Sequence, residues 1–150
     1  MSLDALIGEW DVEFTVSGEK GRGRMTCEWE LDRAFLLQRS NAEHPDAPDG
    51  LCVVAPQEDG GYTQHYFDSR GVVRRYEMTL EEGMWTLTRD DVQRFIGRFE
   101  DGGATIRGTW EWKRGGRWEK DFDLVYSRVN RTSSTPASTS EAPDASDAST

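Results

Sequence analysis

Breaks rich in glycine and aspartate recur at short, regular intervals along the first 129 residues of the sequence. These residue types tolerate the positive φ angles of tight turns, so their spacing is typical of hairpin connections. No segment between two breaks has room for a long helix. Nine breaks therefore predict ten strands; the breaks lie at 18–21, 32–33, 45–50, 59–61, 68–71, 82–83, 90–91, 101–103 and 115–116.

Apolar and polar side chains alternate in the segments between the breaks. In the first segment Trp10, Val12 and Phe14 share one face, whereas Glu9 and Asp11 share the other. This period is typical of a strand with one face in a core and one in water. The predicted inward faces of three further strands are Met25, Cys27, Trp29 and Leu31; Ile106, Gly108, Trp110 and Trp112; and Trp118, Phe122, Leu124 and Tyr126.

Ten consecutive antiparallel strands favour closure of the sheet. An open sheet of this size would curl strongly and leave two long edges available for aggregation. Nine chain reversals make the first and tenth strands antiparallel, so these two strands can pair directly. We therefore predict an all-β fold, a closed antiparallel up-and-down barrel of about ten strands. A two-sheet sandwich is the alternative.

The two ends of the chain differ from the strand-rich body. Ser2 can cap a short helical turn over residues 3–7, which would cover one end of the barrel. Residues 130–150 are rich in Ser, Thr, Ala and Asp and carry no large apolar side chain. They cannot bury enough surface to offset chain entropy, so we predict one barrel domain over 1–129 and a disordered tail over 130–150.

The charge balance restricts the partners. A net charge of -10 and a pI near 4.7 disfavour binding to nucleic acid or to an anionic membrane surface. The N-terminus lacks the basic and apolar regions of a secretory signal, and no apolar run approaches a bilayer span, so we expect a soluble cytoplasmic protein. Cys27 and Cys52 are expected to be buried as small hydrophobic residues.

Gly8-Glu9-Trp10 resembles the G-x-W sequence that opens the first strand of lipocalins and related barrels. In those families the tryptophan closes the barrel floor, and an arginine from the last strand lies across its indole. The resemblance implies these roles for Trp10 and Arg128. A cation over an aromatic face has its own physical basis.

Three stretches resemble the bacterial lipocalin-like (calycin-type) β-barrel domains, a group that shares no agreed activity. They are residues 6–10, 33–38 and 65–71, with Arg74 and Tyr76 beyond the third. The resemblance covers most of residues 3–129 and implies a barrel with an internal cavity.

A related family of ten-stranded barrels binds haem through a histidine near its C-terminal end. At that place this chain has Asp121, Phe122 and Asp123, and its two histidines are His44 and His65. We therefore expect no haem. Two separated histidines and two buried cysteines are also a poor ligand set for a metal, so no metal and no other cofactor are expected.

The alternation predicts which side chains would meet a ligand. The inward set is expected to hold a small, largely apolar molecule, and Arg74 and Lys120 are expected to orient its polar or anionic end, since cations in a low-dielectric interior require partners. Alternatively, both cations lie near strand ends and reach water, or pair with inward acids such as Glu30. The other predicted ligand-binding residues are Trp29, Gln64, Tyr76, Phe122 and Tyr126.

Two other functions fit the same barrel. A cyclase or isomerase would use the enclosed cavity with His65 or Tyr66 in proton transfer, because an unperturbed histidine titrates near neutrality. The alternation in strand five does not indicate whether His65 faces the interior or the solvent. A structural role is the more ordinary one for such a histidine. A barrel filled by its six tryptophans would have no cavity at all. We expect a binding module rather than an enzyme.

Overall fold

The computed structural model describes residues 1–129, so the predicted disorder of residues 130–150 lies outside the described residues. The chain forms the predicted closed antiparallel barrel of ten strands, and each strand pairs with its neighbours in sequence. The sandwich alternative is therefore wrong. The strands are β1 (Gly8–Val16), β2 (Glu19–Glu30), β3 (Phe35–Ala42), β4 (Gly50–Pro56), β5 (Tyr62–Asp68), β6 (Val73–Glu81), β7 (Met84–Arg89), β8 (Gln93–Glu100), β9 (Thr105–Arg114) and β10 (Arg117–Arg128).

Direct pairing of β1 with β10 closes the barrel. Their register sets Trp10 opposite Arg128, Val12 opposite Tyr126, and Phe14 opposite Leu124. All of these pairs place apolar or amphipathic side chains on the inner face, as the alternation in both strands predicts. Closure leaves no strand with a free edge among the ten.

A short 3₁₀ turn at Leu3–Ala5 covers one end of the barrel, called here the closed end. Ser2 caps this turn, since its Oγ accepts a hydrogen bond from the amide of Asp4 at 3.3 Å. Leu3 and the following Leu6 are buried against the barrel core. The predicted helical turn is thus confirmed, and its apolar side chains keep water from the barrel floor.

Aromatic side chains fill the middle of the barrel next to two glycines. The ring of Phe95 lies 5.1 Å from that of Trp85 and 5.2 Å from that of Trp110, measured between centroids. A Cβ atom at Gly108 would lie 2.3 Å from the Phe95 ring, and one at Gly97 would lie 2.8 Å from it. The two glycines therefore make the space that this ring occupies.

An irregularity in β10 reverses the facing of its first half. The register with β9 shifts between Lys120 and Phe122, as in a β-bulge at Asp121. The predicted inward position of Trp118 is therefore wrong: its ring lies under the guanidinium of Arg94, which pairs with Glu111. Lys120 also faces outward, where its Nζ lies 3.0 Å from an oxygen of Asp123.

The predicted inward position of Leu31 is also wrong, because of the turn between β2 and β3. Leu31 does not continue the inward face of β2, because the strand ends at Glu30 and the chain turns at once. Leu31, Asp32 and Arg33 all have positive φ angles, and the Leu31 side chain is 72% exposed.

Candidate binding cavity

A cavity of about 360 Å³ occupies the barrel interior beyond the closed end. Its wall is mostly aromatic and aliphatic, with a few polar groups, which is the usual character of a small-molecule site. Six strands contribute the main aromatic and aliphatic side chains, which are Val12, Phe14, Met25, Trp85, Leu87, Phe95, Trp110, Phe122, Leu124 and Tyr126.

The floor below this cavity is built by Trp10 and its partners. Trp10 is fully buried, and its indole Nε1 donates to the carbonyl oxygen of Leu6 at 2.9 Å. The guanidinium of Arg128 lies 4.2 Å from the centroid of the Trp10 ring. It also donates to the carbonyl oxygens of Ile7 and Ala5, at 2.6 and 2.8 Å. Trp10 and Arg128 therefore contact each other at the floor, and their closure role stays a prediction.

The loop between β3 and β4 lies over the opposite end, called here the open end. Asp46, Ala47 and Pro48 of this loop line the cavity. His44, in the same loop, holds its ring 6.2 Å from that of Phe14 in an edge-to-face arrangement. The loop therefore rests on the cavity wall and contributes part of it.

The charged residues of the wall are acidic or are paired outside the barrel. Asp121, turned inward by the bulge, accepts a hydrogen bond from Trp112 Nε1 at 2.7 Å and lines the cavity together with Asp46. Arg24 also belongs to the wall, but its guanidinium bonds to Glu9 and Asp11 on the outer face. Among the described lining residues, no cationic group is available to a ligand.

Two glutamines supply a neutral polar pair inside the cavity. Gln64 Nε2 donates to Gln38 Oε1 at 3.2 Å, and both residues are buried. A primary amide has two donors and two acceptor lone pairs, so each glutamine keeps hydrogen-bonding capacity beyond this bond. The pair can therefore bind either a donor or an acceptor of a ligand.

Tyr66 presents its ring to the cavity and directs its hydroxyl to Asp68. The hydroxyl donates to Asp68 Oδ2 at 2.7 Å. Asp68 also accepts bonds from the side chain of Arg70, at 2.6 Å from Nη2, and from the Arg70 amide at 2.9 Å. The Arg70 guanidinium is the main cause that lowers the pKa of Asp68 well below its usual range. Burial and the bond to Asp68 raise the pKa of Tyr66.

Two titratable groups of the wall, the thiol of Cys52 and the hydroxyl of Tyr126, are protonated at neutral pH. Burial raises the pKa of the Cys52 thiol to about 12, and it raises the pKa values of Cys27 and Tyr126 as well. Trp85 Nε1 is buried and has no hydrogen-bond acceptor among the described residues. These groups are thus uncharged, and they include donors that an uncharged polar ligand atom can satisfy.

Four of the predicted site residues line the cavity: Gln64, Tyr66, Phe122 and Tyr126. Tyr76 lies directly behind this wall, with its ring centroid 5.5 Å from that of Trp110. Whether any of these residues contacts a ligand stays a prediction.

Four others lie outside the cavity. Trp29 belongs to the closed end, where its Nε1 donates to Asp4 at 3.2 Å. Arg74 lies near the start of β6, and its Nη1 donates to Gln93 at 3.4 Å rather than to a residue of the cavity wall. The inward orientation predicted for Lys120 is wrong because of the bulge in β10. His65 is exposed on the outer face of β5.

Several cavity residues were not predicted from the sequence. The alternation in β3 places Gln38 on the same face as the buried Leu36, so the pattern contained this signal. Trp85, Leu87 and Phe95 lie in the short strands β7 and β8, whose facing we did not derive. The contribution of the loop residue Ala47 has no periodic signal, since loop conformation does not follow strand alternation.

The barrel is similar to a solved structure. The crystal structure of Rv2717c from M. tuberculosis aligns with a TM-score of 0.63 at 10% sequence identity, over 85% of this chain and 95% of that chain. Similarity at this identity concerns the fold alone. No protein-family model matches the chain, and no curated protein matches it significantly.

Two features are absent from residues 1–129. Within them, no group of three or more His, Cys, Asp or Glu side chains is placed to hold a metal ion. The same part of the chain contains no helix with the length and apolar character needed to cross a bilayer.

Proposed function

We propose that this protein is a binding module that holds a small, largely apolar molecule with a neutral polar end inside the barrel. The observation that carries this proposal is the cavity of about 360 Å³ above a floor sealed by Trp10. Its volume lies toward the lower end of the range of about 300–1,000 Å³ for small-molecule sites. A barrel filled by its own side chains would not contain such a space.

The polar end is neutral in this proposal because of the charges around the cavity. The sequence suggested Arg74 and Lys120 as partners for an anion, but neither residue lines the cavity. Asp46 and Asp121 do line it, and their carboxylates would repel an anion that entered. The Gln38–Gln64 pair and the Tyr126 hydroxyl supply neutral donors and acceptors for an alcohol, ketone or amide group.

The alternative of a cyclase or isomerase gains no support from the site. His65 lies outside the barrel, where it cannot reach a molecule in the cavity. Tyr66 does line the cavity, but its hydroxyl donates to Asp68 and its pKa is raised. A tyrosine with a raised pKa is a poor proton donor or acceptor near neutrality.

A neutral fluorescent probe tests the proposed binding. N-phenyl-1-naphthylamine should bind the full chain at micromolar concentration and quench the cavity tryptophans, Trp85 and Trp110. Ala47→Trp should weaken binding by tenfold or more, because the new indole would occupy the open end. Glu43→Trp adds the same side chain at an exposed site of the same loop that does not line the cavity, and it should leave affinity within about twofold.

Two results would refute the proposal. One is the absence of probe binding to the wild-type protein. The other is an equal loss of affinity in Ala47→Trp and Glu43→Trp, which would place the probe on the outer surface of the loop. The melting temperature of each variant shows that it is folded before its affinity is compared.

A further inference from the structure

Two arginines at the open end converge on one neutral oxygen outside the cavity. Arg89 Nε donates to Gln93 Oε1 at 3.0 Å, and Arg74 Nη1 donates to the same oxygen at 3.4 Å. Gln93 itself is buried. Like charges that share one neutral acceptor repel each other, and a nearby anion would relieve that repulsion.

Gln93 Oε1 also accepts more hydrogen bonds than it has lone pairs. The hydroxyl of Tyr76 donates to Gln93 Oε1 at 2.9 Å, so three donors share one oxygen. A carbonyl oxygen has two lone pairs, and one donor is therefore in excess. Each guanidinium has five N–H donors, so an anion beside them would supply acceptor oxygens that Gln93 alone cannot.

The surrounding charges leave this place positive. Arg74 and Arg89 line a recess of about 280 Å³ whose other charged residues are Arg75, Glu77 and Asp90. Arg75 pairs with Glu77 at 3.4 Å, so among the lining residues Asp90 is the one further acid beside the two arginines Arg74 and Arg89. Within residues 1–129, neither Arg74 nor Arg89 has a carboxylate oxygen within ion-pairing distance, although the chain carries a net charge of -10.

We propose that Arg74 and Arg89 form a binding site for a phosphate group at the rim of the barrel. Guanidinium groups match the oxygen spacing of phosphate and carboxylate through paired N–H donors. One guanidinium can saturate a carboxylate, whereas a phosphate has enough oxygens for both. Gln93 positions the two side chains before the anion arrives. The site is separate from the interior cavity and does not depend on what the cavity binds.

Inorganic phosphate is the probe that tests this site. In ¹H–¹⁵N spectra of the full chain, the arginine Nε–H signals of Arg74 and Arg89 should shift in a saturable manner with potassium phosphate at pH 7. Potassium chloride at matched ionic strength should not reproduce the shift. Acetate at the same concentration should bind more weakly, because it has only two oxygens. Glycerol 3-phosphate should bind as phosphate does if the group is recognised as a monoester.

Substitutions separate direct contact from a general loss of charge. Arg74→Gln and Arg89→Gln should each weaken phosphate binding tenfold or more. Arg98→Gln makes the same change in net charge at an exposed position near the closed end, and it should keep affinity within about twofold. Arg89→Lys, which retains the charge but loses the planar fork, should weaken binding less than Arg89→Gln does.

The proposal is overturned if phosphate shifts the signals no more than chloride, or if Arg98→Gln weakens binding as much as Arg89→Gln. Acetate binding as tight as phosphate binding would overturn the assignment to phosphate. The variant Ala47→Trp should bind phosphate normally. Failure of the naphthylamine titration would therefore leave this result unchanged, so the two sites are tested separately.

Discussion

The guanidinium of Arg128 lies 4.2 Å from the centroid of the Trp10 ring, and the Cα atoms of these two residues pair across the closing strands β1 and β10. The same guanidinium donates to two backbone carbonyls of the N-terminal segment, those of Ile7 and Ala5. One arginine therefore joins the first strand, the last strand and the segment that covers the floor.

This arrangement predicts that Arg128→Lys lowers the free energy of unfolding by roughly 1.5–3 kcal/mol. A lysine keeps the charge, but its single ammonium cannot replace the planar guanidinium that reaches both carbonyls.

Trp10→Ala should lower the free energy of unfolding by roughly 3–5 kcal/mol, as expected for the deletion of a large buried aromatic side chain. Urea unfolding measures both values, and Arg98→Lys at an exposed site is the control. Wild-type stability in Arg128→Lys would contradict the closure role.

The buried amide pair predicts a non-additive result. Gln38→Met or Gln64→Met alone leaves the other amide without its partner, which should cost about 1–3 kcal/mol. The double substitution removes both polar groups and should be closer to wild type than the sum of the single effects. Urea unfolding of the three variants measures the coupling. Additive losses would show that the two amides do not depend on each other.

The ion pair of Asp68 with Arg70 predicts a particular pH dependence. The pKa of Asp68 is lower in the folded protein than its unfolded-state pKa of about 3.9. The ionised carboxylate therefore stabilises the fold fully above that unfolded-state pKa, and this stabilisation is lost as the pH falls through the folded-state pKa. Between pH 5 and pH 7, the melting temperature of Asp68→Asn should therefore be several degrees below that of the wild-type protein. The difference from wild type should shrink as the pH is lowered below about 4.

Asp32→Asn is the matched control for this experiment, because Asp32 lies in an exposed turn at the other end of the barrel. It should leave the melting temperature nearly unchanged over the same pH range. A constant difference between Asp68→Asn and wild type down to pH 2 would show that the charge of Asp68 does not stabilise the fold.

The alternation of side chains predicted the barrel because a period of two decides at once which face of a strand is buried. It predicted the inward position of Trp10 and Tyr126 for the same reason, but in β5 it left the face of Gln64 undecided. It failed at Trp118 and Lys120, since a single extra residue at Asp121 reverses the facing of everything before it. No pattern in the sequence of β10 reveals that bulge.

The candidate site was less predictable than the fold. An arginine such as Arg74 near a strand start can extend either into the barrel or along its rim, and strand alternation does not distinguish the two orientations. The cover over the open end depends on the loop that contains Ala47, whose path is set by packing rather than by periodicity. The charge of the cavity lining is therefore a property of the folded chain that strand alternation does not predict.

The most direct test of the proposed neutral binding cavity compares two probes with one ring system. N-phenyl-1-naphthylamine is neutral, and 8-anilinonaphthalene-1-sulfonate carries an added sulfonate on the same skeleton. Titration of the full chain, followed by quenching of tryptophan fluorescence, gives a dissociation constant for each probe. The neutral probe should bind at least tenfold more tightly, because Asp46 and Asp121 line the cavity and no lining cation offsets them among the described residues. Equal or tighter binding of the sulfonate would contradict the account.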